Sequence, residues 1–410
     1  MSGKRQKNTY YQWRKKMNNI ADISNYDQCT SCGMCSAICP VEAIQIKLDE
    51  NGFYRPEINE EKCIACGKCK KICYRFDQNI SLTAKKNVHA YSAVNKDKEL
   101  VRECSSGAIS EEIMKACIKH GYKVVGVEYD YEKDIIKTTT TSDVNSITKY
   151  RGSKYFQSYT VEAFKEITKN KEDKYAVIGT PCQIYALRKW AEEHKKDNLL
   201  LIDFFCHGIA PVSLWKSYIK EFQSPFLKVD FRTKDYGWHN FATRFIDADK
   251  KEILSKRTND QFYDLFFSEL CFNNSCYKCK ARSTVEYSDL RIGDFWGKRY
   301  ASNMEGVSAV IVNTKKGYEI FKEISPYLKT KKVEFEEIIS AQSYGKPREY
   351  DARKREQILD YLKKNKIKEA YKVYYNGLSV KVKTLKSAKN MIKKCPIIIQ
   401  SRVRGIMKSV

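Results

Sequence analysis

The sequence predicts an α+β protein: a small cysteine-rich domain, then a larger α/β domain with a central sheet, then a helical C-terminal tail. Two cysteine tetrads define the small domain at residues 21–80, and apolar runs alternating with helical periodicity define the large domain at residues 88–345. A lysine-rich, helix-prone tail follows at residues 350–410, and a basic arm covers residues 1–20. The length of 410 residues fits two or three domains.

The net charge of +25 is concentrated at the two ends of the chain. Residues 1–16 carry six lysines and arginines and no acid, and residues 352–410 carry seventeen against three acids. The charge therefore does not identify the whole protein as a nucleic-acid binder. No apolar run reaches the roughly 18 residues of a membrane span, and no apolar stretch follows the basic N-terminus as in a signal peptide. We expect a cytoplasmic protein.

The small domain repeats one cysteine spacing, C-x2-C-x2-C-x3-C, twice. The first three cysteines of such a motif hold three corners of one 4Fe-4S cluster, and the fourth reaches the other cluster. One cluster is expected on Cys29, Cys32, Cys35 and Cys73. The other is expected on Cys63, Cys66, Cys69 and Cys39. In a long chain without an export signal, this pattern indicates metal ligation rather than disulfides.

Local residues agree with this prediction of a two-cluster, ferredoxin-like domain. Gly33 and Gly67 suit the tight loops and amide-to-sulfur hydrogen bonds of such clusters. A zinc site is the alternative, but zinc ligands come as pairs of cysteines and not as two collinear tetrads. Tyr74 stands where a proline usually follows the last cysteine, which weakens a turn preference and leaves the ligands intact. The segment resembles dicluster ferredoxins over about fifty residues.

The large domain is predicted from four buried apolar runs: Tyr122–Val127, Tyr175–Ile178, Leu199–Phe205 and Val307–Asn313. A helix-like stretch, Ile184–Glu193, follows the second run. Runs of this length separated by helical periodicity favour a central sheet with helices packed on it.

A third set of cysteines is predicted at the ends of these strands. Cys182 and Cys206 each follow an apolar run, and strand ends in an open α/β sheet meet at one crevice. Cys276 and Cys279 add a C-x2-C pair, which completes four ligands for a third cluster. The alternatives are buried free thiols for the first two cysteines and half a zinc site for the pair.

Several strings in this region resemble one family, the beta subunit of coenzyme F-420 hydrogenase/dehydrogenase. The strings are Gly-Thr-Pro-Cys-Gln (179–183), Cys-His-Gly (206–208), Ser-Cys-Tyr-Lys-Cys (275–279), Gly-Asp-Phe-Trp-Gly (293–297) and Gly-Val-Ser (306–308), with Gly-Ser-Lys-Tyr (152–155) and Ser-Ser-Gly (105–107). The resemblance covers residues 88–345, both the N- and C-terminal parts of that domain, and is closest to single-chain bacterial members.

The resemblance implies an oxidoreductase with FAD beside a cubane cluster, passing electrons to an unidentified two-electron substrate. It also implies a redox partner such as ferredoxin or a reduced deazaflavin or nicotinamide donor, and a place in polysaccharide biosynthesis. The alternative is a non-catalytic iron–sulfur partner of another enzyme. Family membership does not identify the substrate.

The candidate flavin-binding residues are Ser105, Ser106, Gly107, Gly152, Ser153 and Lys154. The first three precede a helical stretch, Ile109–His120, whose N-terminal amides and dipole would hold a pyrophosphate. An ordinary serine N-cap is the alternative. Ala108 replaces the second glycine usual in the family, and Lys154 is either a partner of an anionic flavin or a solvated surface lysine.

His207 is the candidate catalytic residue, since it follows a proposed ligand and imidazole titrates near neutrality. The alternative is a histidine that only binds its own loop. Asp294 and Trp296 are expected to shape a turn beside the cofactor, without a chemical role.

The basic tail interleaves lysines with Leu, Ile, Val and Tyr. Amphipathic helices with a solvated face are the first interpretation. A peripheral contact with anionic lipid or a lipid-linked glycan at the inner face of the membrane is the second. Nucleic-acid binding is third, because no recognised motif supports it.

Overall fold

The computed structural model describes residues 18–21, 28–77, 80, 88–170, 172–222, 225–257 and 260–409. The predicted basic arm, residues 1–20, therefore lies outside the described residues except for its last three. The strands are β1 (Ile44–Leu48), β2 (Tyr54–Ile58), β3 (His89–Asn95), β4 (Tyr122–Asp130), β5 (Ile135–Thr141), β6 (Ser158–Tyr159), β7 (Lys174–Gly179), β8 (Leu199–Phe204), β9 (Phe226–Thr233), β10 (Ala242–Asp247), β11 (Glu252–Lys256), β12 (Leu290–Asp294), β13 (Ser308–Val312) and β14 (Leu328–Val333).

The α-helices connect and cover these strands. They are α1 (Met34–Ala37), α2 (Lys68–Lys71), α3 (Lys98–Glu103), α4 (Ile109–Lys119), α5 (Val161–Lys169), α6 (Pro181–Glu193), α7 (Val212–Ile219), α8 (Gln261–Phe267), α9 (Asn274–Tyr277), α10 (Lys315–Ile324), α11 (Phe335–Ser340), α12 (Ala352–Lys363), α13 (Ile367–Asn376), α14 (Val380–Lys394) and α15 (Ile397–Ser409). The predicted α+β class is confirmed by this mixture of helices and sheets.

The small domain pairs its two strands as the antiparallel hairpin β1–β2. Each cysteine motif passes through a glycine into a one-turn helix, since Gly33 precedes α1 and Gly67 precedes α2, both at φ +75°. This left-handed backbone is the conformation that favours glycine over other residues. The repeated spacing of the sequence therefore produces two copies of one loop.

The large domain is built on a mixed sheet of nine strands among the described residues, in the order β14-β3-β13-β12-β8-β7-β4-β5-β6. Strands β12, β8, β7 and β4 run parallel to one another, and antiparallel strands extend the sheet on both sides. Helices cover both faces, with α6 in one buried apolar cluster and α4 and α10 in another. The four predicted runs fall in β4, β7, β8 and β13, and the predicted helix falls in α6.

A second, three-stranded antiparallel sheet, β11-β10-β9, was not anticipated from the sequence. Its inner side chains join a large aromatic cluster around Trp215, Phe245 and Phe262, all fully buried. This sheet supplies one wall of the candidate site.

The tail begins as part of the same core. Ile358 and Leu362 of α12 and Ile367 of α13 are fully buried in the cluster that contains Trp215. Lys386 of α14 pairs with Asp264 of α8. The boundary at residue 350 thus stays a prediction from composition, and the packing is continuous across it.

Candidate functional site

Cys73 of the second cysteine motif lies near the cysteines of the first motif. Burial, and then the neighbouring thiol charges of Cys32 and Cys29, raise the pKa of Cys73 to about 12. Burial likewise raises the pKa of Cys35, with further contributions from Cys32, Cys73 and Cys29. Electrostatic effects between thiols require nearby groups. Cys73 therefore lies near the first three thiols, and ligation of one cluster by these four stays a prediction.

In the same way, Cys39 of the first motif lies near the cysteines of the second motif. Burial raises the pKa of Cys69, and the thiols of Cys66, Cys63 and Cys39 add to the effect. The amide of Ala43 donates to the Cys39 sulfur at 3.2 Å, which is the kind of bond that tunes a sulfur-ligated cluster. Cys66 is exposed, so this tetrad lies nearer the surface than the first.

The third set of cysteines comes together from three separate segments. Cys182 lies at the start of α6, Cys206 follows β8, and Cys276 and Cys279 lie in and after α9. Burial is the main cause that raises the pKa of Cys182, and the charges of Cys279 and Cys206 raise it further. Burial, Cys206 and Cys279 raise the pKa of Cys276 to about 12. Cys182 and Cys206 thus lie near each other, as the strand-end argument predicted, and Cys279 lies beside them. The role of the four cysteines as ligands stays a prediction.

Among the described residues, no three His, Cys, Asp or Glu side chains converge as ligands of a single metal ion. A metal centre at the third set therefore stays a prediction. The set adjoins the small domain, since the charge of Cys32 also contributes to the raised pKa of Cys182.

Hydrogen bonds fix the small domain against the third set. The Tyr74 hydroxyl accepts from the Lys280 amide at 2.6 Å, beside Cys279. The Asn273 side chain donates to the Cys29 carbonyl at 3.1 Å, and its oxygen accepts from the Ser275 amide at 3.4 Å. The tyrosine that replaces the usual proline is therefore part of the domain contact.

Two arginines that the sequence analysis missed face the third set. Burial raises the pKa of Cys206 to about 11, and the charges of Arg282 and Arg348 oppose this rise. Arg282 also donates to the Cys276 carbonyl at 3.0 Å. Positive charge here would stabilise the thiolates that ligate a cluster. The role of these arginines beside the third set is visible only in the fold. The one sequence signal was that Arg282 lies three residues after Cys279.

A cavity of about 660 Å³ opens beside the third set. Its wall includes Cys206 and also Ser31 from the small domain. Six candidate residues of the sequence analysis line it: Ser105, Ser106, Gly152, Ser153, Lys154 and His207. A volume of this size suits a large organic cofactor or substrate, because such pockets span about 300–1,000 Å³.

Gly107 is the exception among the flavin candidates, because it packs against the sheet. Its amide donates to the Ser308 hydroxyl at 2.9 Å, and a Cβ on it would lie 2.5 Å from the Ala93 carbonyl oxygen. Gly107 thus sets the path of the loop while its neighbours line the cavity.

The N-terminus of α4 faces the cavity without a side-chain cap. The N-cap residue is Ala108 at φ +62°, and it makes no side-chain capping bond. Ser105 accepts instead from the Ser153 amide at 2.9 Å, and Ser106 donates to the Val307 carbonyl at 3.0 Å. The alternative of an ordinary serine N-cap is therefore wrong. Uncapped amides at a helix start are suited to an anion.

Lys154 lies in the cavity wall. Its amine donates to the Arg151 carbonyl at 2.9 Å and the Gly152 carbonyl at 3.2 Å. Burial lowers the pKa of this amine to about 7. The alternative of a solvated surface lysine is therefore wrong, and the amine can carry a charge next to a bound anion.

His207 has protein neighbours at both ring nitrogens, although its Nε2 makes no hydrogen bond of good geometry among the described residues. Arg348 donates to Nδ1 at 3.0 Å, and Nε2 lies 3.1 Å from a Glu269 oxygen. Because the Arg348 guanidinium can only donate, Nδ1 accepts, and a neutral ring carries its proton on Nε2. Burial lowers the pKa of the ring, against the opposing effect of Glu269. The contacts suit a histidine that fixes its loop, and the proton-relay role stays a prediction.

Asp294 ends β12 and Trp296 follows it, and both lie in the cavity wall where the sequence predicted a turn. Asp294 accepts from Arg232 at 2.6 Å and from the Trp238 indole at 2.8 Å. Trp296 stacks on Trp238 with ring centroids 4.8 Å apart.

Family models match two parts of this architecture. Residues 28–77 match the 4Fe-4S dicluster domain, and residues 172–339 match the C terminus of the coenzyme F420 hydrogenase/dehydrogenase beta subunit. The chain therefore joins a region that matches a 4Fe-4S dicluster domain to a region that matches the C-terminal domain of a coenzyme F420 hydrogenase/dehydrogenase beta subunit. The resemblance stated from the motifs is thereby confirmed.

Two relatives are similar to this region of the chain. The chain is 29% identical over 201 residues to the F subunit of the F(420)H(2) dehydrogenase of Methanosarcina mazei, covering 46% of this chain and 55% of that protein. It is 23% identical over 238 residues to the beta subunit of the coenzyme F420 hydrogenase of Methanococcus voltae, covering 56% and 78%. The match thus spans about half the length of the first of these relatives.

A solved structure of the F420-reducing [NiFe] hydrogenase complex from Methanosarcina barkeri, a xenon derivative, aligns with a TM-score of 0.45 and 19% identity. The alignment covers 72% of this chain and 92% of that one. The sequence matches together identify the protein as an iron–sulfur redox protein related to oxidoreductase subunits.

Proposed function

We propose that this chain is an iron–sulfur flavoprotein oxidoreductase. Electrons would pass from the two clusters of the dicluster domain through a third cluster on Cys182, Cys206, Cys276 and Cys279 to FAD in the cavity. They would leave as a pair to a two-electron substrate. The observation that carries this proposal is that Cys206 and Ser31 line the same cavity as the flavin candidates.

The cavity residues fit a flavin dinucleotide. The uncapped start of α4 and the amine of Lys154 offer positions for phosphate. A Cβ on Gly152 would lie 2.6 Å from the Phe231 carbonyl oxygen, so the loop carrying Ser153 and Lys154 needs a glycine to sit against β9. A flavin, when bound, supplies chemistry that links one-electron clusters to a two-electron substrate.

The chain's own residues prepare this chemistry. Arg282 and Arg348 compensate the negative charge of the third set of thiolates. Aromatic side chains exclude water from the cavity wall, among them Tyr155, which stacks on Phe241 with centroids 6.0 Å apart. His207 holds a proton at Nε2 toward Glu269.

Anaerobic purification with iron, sulfide, zinc and flavin analysis tests the proposal. Three clusters predict about twelve irons per chain. Replacing Cys276 and Cys279 with serine should remove about four of them, whereas Cys395→Ser should remove none, because Cys395 lies in the tail far along the chain from the three sets. Zinc at the third set, or about eight irons in both variants, would overturn the third cluster.

The rival function is a non-catalytic electron carrier for a separate enzyme. The exposure of Cys66, together with that of Ile64 at 62%, favours docking of a redox protein beside the second tetrad. Absence of flavin in carefully prepared protein would make this the better function. Bound FAD that is reduced by dithionite or reduced ferredoxin in the single chain would exclude it.

The tail carries an exposed apolar surface that also bears lysines. Met391 is 70% exposed and Ile398 is 63% exposed, and Lys389 and Lys394 are exposed beside them. None of the described helices is both long and apolar enough to cross a membrane. A peripheral contact with anionic lipid is part of our proposal, because basic amphipathic helices adsorb to such surfaces. The setting in polysaccharide biosynthesis rests on the motif resemblance.

Sedimentation with phosphatidylglycerol vesicles tests the lipid contact. Binding should fall in high salt and with phosphatidylcholine alone, since charge contributes to it. Ile398→Ser should weaken binding, and Leu227→Ser should not, although Leu227 is 56% exposed on β9. Equal effects of the two substitutions would contradict a tail-specific contact.

A further inference from the structure

Three arginines meet at the cavity from distant parts of the chain, and we call them the arginine wall: Arg232, Arg257 and Arg404. Arg232 lies on β9, Arg257 directly follows β11, and Arg404 lies on α15 in the tail. All three line the cavity. The match to the beta-subunit family ends at residue 339, so Arg404 comes from outside the matched region.

Arg232 is the most buried member of the arginine wall, with 6% of its side chain exposed. Its Nη1 donates to Asp294 at 2.6 Å. Its Nε and Nη2 are buried and have no hydrogen-bond partner in the described residues. Buried guanidinium N–H groups without an acceptor are costly, so they mark a position where a ligand can supply one.

Arg257 and Arg404 add charge, and neither forms an ion pair with a carboxylate among the described residues. Arg257 lies over the Phe267 ring at 4.4 Å and donates weakly to the His239 carbonyl at 3.4 Å. The Arg404 Nε is buried with no partner in the described part of the chain. Burial lowers the pKa of Arg404, and repulsion from Arg257 lowers it further. These two arginines therefore destabilise each other.

The carboxylates near the arginine wall already bind other side chains. Asp294 binds Arg232 and Trp238. Asp264 binds Lys386 and Tyr371. Three guanidinium groups therefore share one bonded carboxylate at the wall, which leaves an excess of positive charge facing the cavity.

We propose that Arg232, Arg257 and Arg404 form an anion-binding subsite that holds a carboxylate or phosphate of the substrate. The subsite deepens the proposed function, since it would select acidic substrates for the same cavity. The start of α4 and Lys154 provide separate positions for the phosphates of a flavin, so the arginine wall is left for the substrate. Planar guanidinium groups are well suited to bind such anions bidentately.

Isothermal titration with inorganic pyrophosphate as the probe tests the subsite directly. Arg404→Gln should weaken pyrophosphate binding about tenfold or more, because a charged hydrogen bond to the anion is lost. Arg404→Lys should recover part of it. Arg402→Gln is the matched control, since Arg402 is exposed on the same helix and should leave binding unchanged. Equal binding by wild type and Arg404→Gln would overturn the subsite.

Titrations with FAD and riboflavin decide which molecule supplies the anion. Unchanged affinity of Arg404→Gln for both flavins supports the substrate assignment. Weakened FAD binding with unchanged riboflavin binding would place the flavin phosphates at the arginine wall and overturn that assignment. Arg404-dependent pyrophosphate binding in a protein that holds no FAD would keep the subsite while the flavoprotein function fails.

Discussion

The dicluster domain and the third cysteine set hold their thiols in two different ways. Residues 29–73 contain eight cysteines whose positions follow from two short loops, each turned by a glycine. The third set gathers four cysteines from residues 182–279 at the ends of sheet strands and at a short helix. The first arrangement depends on local backbone conformation, and the second depends on the folded sheet. A substitution that destabilises the sheet should therefore disrupt the third cysteine set and leave the dicluster domain intact.

The largest expected effect comes from the buried pair between Arg291 on β12 and Asp203 on β8. The two side chains are 1% and 2% exposed, and Arg291 Nε donates to Asp203 at 2.7 Å. Arg291→Met leaves a buried carboxylate unpaired, which should cost about 3–5 kcal/mol of unfolding free energy. Because Cys206 lies two residues after the end of β8, the proposed third cluster should be lost while about eight irons remain.

Urea unfolding and iron analysis measure this result. The control is Lys47→Met, which removes an exposed pair with Glu57 at 2.6 Å in the dicluster domain. A surface pair contributes about 0–1 kcal/mol, so its iron content should not change. Loss of all iron in Arg291→Met would show that the two regions do not separate.

A smaller effect is expected at the contact between the two regions. Gly33 has φ +75°, and a Cβ on it would lie 2.3 Å from the Thr160 hydroxyl oxygen. Gly33→Ala should cost about 2–4 kcal/mol, from left-handed strain and overpacking together. Gly345→Ala is the control, since it has φ +65° and open space, and should show only the strain of about 1–2 kcal/mol. Thermal unfolding compares the two, and equal losses would argue against the domain contact.

The pH dependence of flavin binding should distinguish the cavity from the dicluster domain. Burial lowers the pKa of Lys154 to about 7, so the amine is charged below that pH and neutral above it. Affinity for FAD should fall about tenfold between pH 6 and 8, following the protonated fraction.

The unfolded state binds a proton more readily above pH 7, so without flavin this group makes stability rise with pH from about 7 to 10.

Fluorescence titration of FAD at several pH values measures the first effect. Lys154→Met should remove most of the pH dependence, whereas Lys149→Met should keep it. A profile unchanged by Lys154→Met would rule out a flavin contact by this amine.

The smallest effect is expected from Tyr74→Phe, which removes the hydroxyl that accepts from the Lys280 amide. One hydrogen bond contributes about 1 kcal/mol. Stability should fall by that amount, with the iron content unchanged. Tyr327→Phe is the control, because Tyr327 is 59% exposed. Chemical unfolding of both variants, followed by aromatic fluorescence, checks the difference.

The sequence predicted the features that depend on spacing or on strand ends. The tetrads could be recognised because their ligands are local, and Cys182 and Cys206 because each follows a buried run. The arginine wall could not be predicted, since Arg232, Arg257 and Arg404 meet only when a small sheet and the last helix pack together. The alternative of a serine N-cap could not be excluded from the sequence, because only the fold shows that Ser105 and Ser106 bond across the loop to Ser153 and Val307.

The Tyr74 contact has a consequence for protein engineering. A free-standing ferredoxin grafted in place of residues 28–77 would bring its proline and lose the hydroxyl that meets Lys280. Its first cysteine loop would also need to present a backbone carbonyl to the Asn273 side chain, as Cys29 does here. Electron-transfer modules of this kind are therefore not interchangeable cassettes, and a chimera should be chosen for its matching surface residues as well as for its cluster ligands.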